Sequence, residues 1–552
     1  MGRASRIAIS ICVAAAASLA QTPTIAYRGV VNAASFVPAG LPGGGIAQRS
    51  IFSVFGQNLG PSPGIQQTSF PLQTSFSGVT LTLTRGNTTV AAIPVYVSSS
   101  QINAILPSNA PPGIAALQVI RGTSKSNVAA VRVVNATVGI VSAGGAGNGP
   151  GVIQNFVSQA NQPLNSNASP ATPGQVVTMW ATGLGPITGS DAAAPPVGTL
   201  PTQVEVFVGG ASATTLYAGR SGCCSAEDQI VFQVPANAPT GCWVPVYVRT
   251  GGNTLSNVVT MAITSDGSPC ANSAGPLTAT FINGGSLALF SLLRATIHQD
   301  NVVHSTADIT TDYHTEVATQ EPGGPFVYSP FFSEPPAGSC TVMTEAGDYL
   351  LGDPLPWKHT AVAPLDFGQL TLTGPKGSRA LAPFTPASYS GPLGSYSTAH
   401  GLPGTLYLDP GSYTLTGNGG AAGNFTAQIA IPAPITWTNR DQNGTVNRSN
   451  PLTLTWSGAG SQSVAIVGVN VDEPTNSTAL FYCIAPAGAS SFTVPTAILS
   501  ALPATRANPL QSRGAIYIGN MPLANAAPLT TSPFNAAAAR GIYLTGRTVI
   551  FQ

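Results

Sequence analysis

Of the seven cysteines in the chain, Cys12 falls in an apolar N-terminal run; the others are Cys223, Cys224, Cys242, Cys270, Cys340 and Cys483. Such a set offers three chemistries: a redox couple, a metal site or covalent staples. A redox couple takes C-x-x-C spacing, and a zinc site takes paired Cys or Cys/His ligands at short intervals. Neither spacing occurs here, so the six are expected to form disulfides. Neighbouring residues on an extended strand point to opposite faces, which sends Cys223 and Cys224 to different partners, with Cys242 and Cys270 the nearest candidates. A vicinal Cys223–Cys224 bond with Cys242 joined to Cys270 stays open as the alternative. Elimination pairs Cys340 with Cys483.

A second group could do acid/base or metal chemistry. All five histidines (His298, His304, His314, His359 and His400) lie between residues 276 and 432, and three share the stretch "IHQDNVVHSTADITTDYH" with Asp300, Asp308 and Asp312. Should Ile297 to Asp312 form a hairpin, some of these groups share a face. No recognised ligand spacing is present, so solvated polar positions are the plainer reading; His304 and His314 are kept as candidates for a ligand surface. Gly60-Pro61-Ser62-Pro63-Gly64 spells G-x-S-x-G, but Pro63 lacks the N–H that the oxyanion hole needs, so it reads as a loop. "DQNG" (Asp441 to Gly444) opens like a calcium loop without its later ligands, and is expected to be a hairpin turn. Among five tryptophans, Trp180, Trp437 and Trp456 sit in apolar alternation and are assigned to the core. Trp357, in the Pro-rich "DPLPWKHT", is the one nominated for a ligand surface. No Gly-rich phosphate cradle opens a helix, and no cofactor or metal motif is present.

The elements that must position these residues are strands. Short period-two runs such as "VTLTLT" (Val79 to Thr84), "VEVFVGG" (Val204 to Gly210) and "LTLTW" (Leu452 to Trp456), bounded by Gly, Pro and Asn, predict half-buried strands of an all-β chain. One short helix is expected, with Pro495 at its start and Pro503 as its stop. The chain repeats itself: "SIFSVFGQNLGP" (Ser50 to Pro61) answers to "VVTMWATGLGP" (Val176 to Pro186). "QINAILPSNAPPG" (Gln101 to Gly113) answers to "QIVFQVPANAPTG" (Gln229 to Gly241), and "SNVAAVRV" (Ser126 to Val133) to "SNVVTMAI" (Ser256 to Ile263). Three blocks in one order at a near-constant displacement mean two copies of one module, each the size of an immunoglobulin-like sandwich. The expected division is a first module at 28–140, a second with disulfides at 152–265, an all-β domain at 276–432 and a final sandwich at 433–552. "SAGGAGNGPG" (Ser142 to Gly151) is read as a flexible linker or exposed loop.

Arg3 and Arg6 precede an apolar run ending in Ser18-Leu19-Ala20, the pattern of a secretory signal peptide over 1–20. Only 7% of the 552 residues are charged, with 20 Lys and Arg against 19 Asp and Glu. Such neutrality offers no basic face for nucleic acid and no polybasic membrane patch. No run of about 18 apolar residues follows the signal, so no transmembrane span is expected.

"VNAASF", "FGQNLGP", "VSSSQINAILP", "WATGLGP", "YAGRSGCCSAEDQIVFQVP" and "GCWVPVYVRTGG" together resemble a family of uncharacterised secreted bacterial proteins, abundant in acidobacteria, whose immunoglobulin-like modules are related to the IPT/TIG type. The resemblance covers about residues 28 to 265 and implies export and a sandwich fold, with no established activity. The first copy lacks the cysteines of the second, so disulfides are not part of the module's basic fold. The reading is an exported, noncatalytic interaction protein at the cell surface or outside it, adhering to a polysaccharide, a cell wall or a surface protein. A secreted hydrolase or metal-dependent enzyme with its site in 276–432, and a structural spacer, are the alternatives.

Overall fold

A computed structural model describes residues 22–251, 254–300, 307–330, 332–346, 366–381, 389–397, 406–418, 423–506, 514–529 and 533–552. The signal segment, His304, Trp357, His359 and His400 lie outside the described residues. The architecture is all-β, built from immunoglobulin-like sandwiches followed by a larger two-core β region.

Module 1 contains β1 (Thr24–Asn32), β2 (Ile51–Gln57), β3 (Val79–Arg85), β4 (Thr88–Val97), β5 (Gln101–Ile105), β6 (Gly113–Arg121) and β7 (Ala129–Val134). Alternation sets its faces: Val79, Leu81 and Leu83 of β3 point into a core with Phe52, Val54, Ile102, Ala104, Leu117 and Val119. Strand β4 belongs to both sheets, pairing with β3 through Thr88 to Ala92 and with β5 from Ile93 onward, with a register shift between Pro94 and Tyr96. A bulge at such a corner lets one strand change layers.

Module 2 repeats this path with β8 (Gly139–Ile140), β9 (Ile153–Asn155), β10 (Val176–Thr182), β11 (Val204–Val208), β12 (Ala211–Arg220), β13 (Asp228–Gln233), β14 (Gly241–Thr250) and β15 (Val259–Ile263). Strand β12 leaves β11 for β13 with a shift between Thr215 and Tyr217, the counterpart of the β4 corner. The repeated Ser-Asn-Val fastens each module at the same place. Ser126 and Ser256 Oγ accept the N–H groups of Val119 and Val248 at 3.0 and 2.9 Å. Asn127 grips both backbone groups of Ile25 in β1, and Asn257 grips both of Ile140 in β8.

Two expectations about boundaries change. Strand β8 pairs with β10, so module 2 begins before residue 152 and the junction falls between Val134 and Gly139. The glycine-rich "SAGGAGNGPG" is fastened inside module 2: Asn257 Nδ2 donates to Gly147 O, Gly151 N donates to Thr260 O, and Thr260 N donates to Gly149 O.

After α1 (Pro276–Asn283) come β16 (Gly285–Gln299), β17 (Ala307–Glu321), β18 (Cys340–Ala346), β19 (Leu370–Gly374), β20 (Gly377–Leu381), β21 (Tyr389–Ser397), β22 (Gly411–Asn418) and β23 (Asn424–Ile431). The chain continues through β24 (Leu452–Ser457), β25 (Val464–Asp472), β26 (Ser477–Ala485), β27 (Ser491–Val494), α2 (Thr496–Leu499), β28 (Ala515–Gly519) and β29 (Ala536–Thr548). The division at residue 432 is corrected here. One sheet runs β18-β26-β25-β28-β29-β16-β17-β21, drawing strands from both sides of that boundary, with β16 and β29 parallel. Two small sheets cover its two halves. β19, β20, β22 and β23 enclose Phe290, Phe367, Tyr413 and Phe425, while the β24 and β27 layer encloses Trp437, Trp456, Phe481 and Ile516. Gly541 lies where the halves meet, because a Cβ there would fall 2.0 Å from Ala430 O. The expected helix forms as α2, with Pro495 as its N-cap. "DQNG" lies in a 3-10 turn, Arg440–Asn443, instead of a hairpin turn.

Candidate functional site

Strand β10 carries apolar residues on both faces. Val177, Met179 and Ala181 are buried in the module 2 core, which turns Val176, Thr178 and Trp180 to the other side of the sheet. The same parity places Gln154 of β9, opposite Thr178, and Gln229, Val231 and Gln233 of β13 on this outer face. Tyr217 of β12 joins them opposite Val231. Leu164 bridges to Gln154, and Phe156 follows two residues after Gln154. Phe156 and Leu164 are each 42% exposed, and Val157 is 58% exposed.

The face is built to hold its rings still. Trp180 Nε1 donates to Gln154 Oε1 at 2.9 Å. Tyr217 Oη donates to Arg220 O at 2.6 Å and accepts from Gly198 N at 3.1 Å. Phe156 N donates to Val176 O at 3.0 Å. Trp180, Tyr217, Phe156 and Leu164 stand on one face among the side chains of Gln154, Thr178, Gln229 and Gln233. Aromatic rings among amides and hydroxyls suit a neutral, hydroxyl-rich ligand, which needs apolar stacking and hydrogen bonds without charge. Trp180 was expected in the core. A strand with apolar residues at successive positions leaves its outward face undecided, and only the pairing with β9 and β13 resolves it.

Behind this face the two modules are locked together. Arg49 Nη1 meets Asp228 Oδ1 at 2.7 Å, and Leu184 N donates to Asp228 Oδ2 at 2.9 Å. Burial pushes the Asp228 carboxyl up, against the downward pull of Arg49 and of the backbone N–H groups of Leu184 and Gly183. Ser108 donates to Asp191 through both its N–H and its Oγ, at 2.8 and 2.7 Å. A cleft of about 640 Å³ opens beside this contact, between Val90, Ile93 and Pro107 of module 1 and Ile187, Gly189 and Asp191 of module 2.

The His/Asp stretch does form a hairpin, β16 with β17, and its groups separate into three places. Asp312 is buried and structural: Arg294 Nε and Nη2 hold its two oxygens at 2.8 and 2.9 Å, and Tyr407 N and Leu408 N donate to Oδ2. His314, expected on a ligand surface, is buried instead, because it faces the same side as Leu292 within the core that holds Phe290. Its Nδ1 meets Glu316 Oε2 at 2.8 Å, while Glu316 Oε1 has no hydrogen-bond partner among the described residues. Desolvation pushes the Glu316 carboxyl up, outweighing the bond to His314. His298 lies at the end of β16, its Nδ1 2.7 Å from Asp308 Oδ1 and its Nε2 3.4 Å from Asp300 Oδ1. Arg547 also binds Asp300, and its Nη1 donates to Arg440 O. The "GPSPG" stretch is a loop after β2, buried at Gly60 and exposed from Ser62 to Gly64.

Three disulfides are present: Cys223–Cys224, Cys242–Cys270 and Cys340–Cys483. The expectation that Cys223 and Cys224 take separate partners is overturned. They lie in a turn and not on a strand: Glu227 N donates to Cys224 O, Ser221 N donates to Glu227 O, and Gly222 and Ala226 have φ of 78° and 63°. Cys340 and Cys483 face each other directly across β18 and β26. Trp437 and Trp456 are core residues as expected. Trp243 is buried too, its Nε1 donating to Val327 O at 3.0 Å.

No protein-family model matches the chain, and no curated protein matches it. Among solved structures it is similar to the gamma-CGTase of the alkalophilic Bacillus clarkii, at 12% identity over 51% of this chain and 37% of that one, with a TM-score of 0.16. It is also similar to SGBP-B from a xyloglucan utilization locus of Bacteroides uniformis, at 13% identity over 67% of this chain and 86% of that one, TM-score 0.15. The titin Ig tandem A164–A165 aligns at 8% identity over 40% of this chain and 90% of that one, TM-score 0.12. The chain thus spans little more than a third of the first of these. Similarity at this level transfers no activity or ligand.

Proposed function

We propose that this chain is an exported, noncatalytic binding protein that holds a neutral polymer, a polysaccharide of the cell surface or its surroundings, against the outer face of module 2. The observation that carries the reading is the anchored, half-buried ring of Trp180 on an outer sheet face that also carries exposed Phe156 and Leu164 and uncharged amides. A sandwich offers such a face without a cavity, which suits an extended ligand better than a small one. The signal-like N-terminus and the scarcity of charge support the same reading. The fold by itself does not choose a ligand, since sandwiches host many functions.

The test is co-sedimentation of the chain with insoluble polysaccharides and cell-wall sacculi, with released sugar measured in the supernatant. Saturable binding without release, weakened about tenfold or more in Trp180→Ala, an effect of ~1.4 kcal/mol, is the expected outcome. Sugar release would overturn the noncatalytic part of the proposal. Binding unchanged in both Trp180→Ala and Phe156→Ala would overturn the assigned face.

A further inference from the structure

The turn from Ser221 to Asp228 is the most chemically loaded segment of module 2. Cys223 is exposed, and Cys224 and Glu227 are half-buried. The two sulfurs and a carboxylate oxygen of Glu227 all lie within 4.8 Å of one another, and no other group of three or more His, Cys, Asp or Glu among the described residues brings its ligand atoms so close. The turn is held from both sides. Ala226 is buried against Leu72, Ile93 and Ile105 of module 1. Ser225 Oγ donates to Asp191 O at 2.7 Å, and Ser221 Oγ accepts from Cys224 N at 3.3 Å. The groups are therefore brought together by the junction between the modules and not by the disulfide alone.

From this juxtaposition we propose that the turn is a redox-gated site for a thiophilic divalent cation, with Cys223 Sγ, Cys224 Sγ and a Glu227 carboxylate oxygen as ligands. A dithiol opens it: two electrons and two protons pass to the Cys223–Cys224 bond, giving two thiols, and the dithiol leaves as a cyclic disulfide. The cation then displaces the two thiol protons. Zinc–thiolate bonds are about 2.3 Å, which puts tetrahedral ligands roughly 3.8 Å apart, so the sulfurs need only separate within a turn whose carboxylate is already in place. The oxidised pair has no thiolate to offer and is closed to the metal. Selective opening follows from position: Cys270, Cys340 and Cys483 are buried, whereas Cys223 faces solvent.

Cadmium is the probe. The full chain is treated with dithiothreitol, desalted without oxygen, and titrated calorimetrically while the ultraviolet thiolate-to-cadmium band is followed. The oxidised chain and the variants Cys223→Ser and Glu227→Gln are run beside it. The expected result is one equivalent bound by the reduced chain, none by the oxidised chain or Cys223→Ser, and binding about tenfold weaker in Glu227→Gln. Uptake by the reduced chain no better than by the oxidised one overturns the site. So does uptake that survives Cys223→Ser, which would assign the metal to cysteines elsewhere. Equal affinity in Glu227→Gln, a nearly isosteric change that leaves the turn's backbone bonds intact, overturns the third ligand.

Discussion

Arg49 of module 1 and Asp228 of module 2 form an ion pair across the junction, with their side chains only 1% and 0% exposed. The second Asp228 oxygen is used by Leu184 N, but Arg49 Nη2 has no hydrogen-bond partner among the described residues, so the pair is enclosed without being fully satisfied there. Removing one partner leaves a bare charge where water cannot reach it. Arg49→Met is expected to cost about 3–5 kcal/mol in denaturant unfolding. Arg49→Met combined with Asp228→Asn should recover most of the loss, because Asn can still accept from Leu184 N. A double variant as unstable as the single one would show that the pair is not what ties the modules.

The two asparagine clamps predict unequal effects. Asn257 makes three bonds, to Ile140 N, Ile140 O and Gly147 O, whereas Asn127 makes two, to Ile25 N and Ile25 O. Asn257→Ala is therefore expected to destabilise more than Asn127→Ala, by about 2 kcal/mol or more, with stranded backbone groups as the main cost. Amide exchange is the local check, since Ile140 N–H should lose protection in the first variant and Ile25 N–H in the second.

Glu316 sets a pH dependence whose sign runs opposite to that of a surface ion pair. Its carboxyl is held above the ordinary 4.5 because burial disfavours the charge. In the window between that value and the raised folded one, the folded chain binds more protons than the unfolded chain. Stability from this group is complete below the unfolded value and is lost as pH rises through the folded one. The melting temperature of the wild-type chain should fall relative to that of Glu316→Gln as pH is raised from 4.5. A parallel course of the two curves would count against the buried carboxyl.

The Cys340–Cys483 bond joins β18, at the edge of the long sheet, to its neighbour across a sequence separation of 143. Replacing both residues by serine should cost about 2–5 kcal/mol, read as a lowered melting temperature. Loss should begin at β18, so faster amide exchange at Thr341 and Met343, which stand at the hydrogen-bonded positions opposite Tyr482 and Leu480, is expected before the centre of the sheet responds.

The local layers of this fold were legible because alternation and burial coincide. Val79, Leu81 and Leu83 are buried and the threonines between them are not, as "VTLTLT" implies. The repeated blocks map onto equivalent strands, and the conspicuous Ser-Asn-Val is a clamp on the opening strand of each module. Pairings without local signal were not legible. Nothing near Leu287 announces that it will lie beside Ala536, so the boundary at 432 looked reasonable. Gly222 and Ala226 make a turn where adjacent cysteines read as strand, and the strand of Trp180 is apolar on both sides, so its pattern does not distinguish inward from outward. The candidate site was thus missed from composition and recovered from cross-strand neighbours.

Strand β29 lies between β16 and β28, and the contacts that join it to the start of β16 span 249 residues. A ribosome makes β16 long before it makes β29, so the hairpin of β16 and β17 waits with an open edge along almost its whole length. Modules 1 and 2 close on nearby sequence and can fold as they emerge. The C-terminal half cannot, and it stays pliable until synthesis has passed residue 548. If the chain is exported, as proposed, that delay keeps its C-terminal half in a state that can be threaded through a membrane. For one cut short of β29 by nonsense mutation or protease, two long unpaired edges remain, and aggregation is its expected fate.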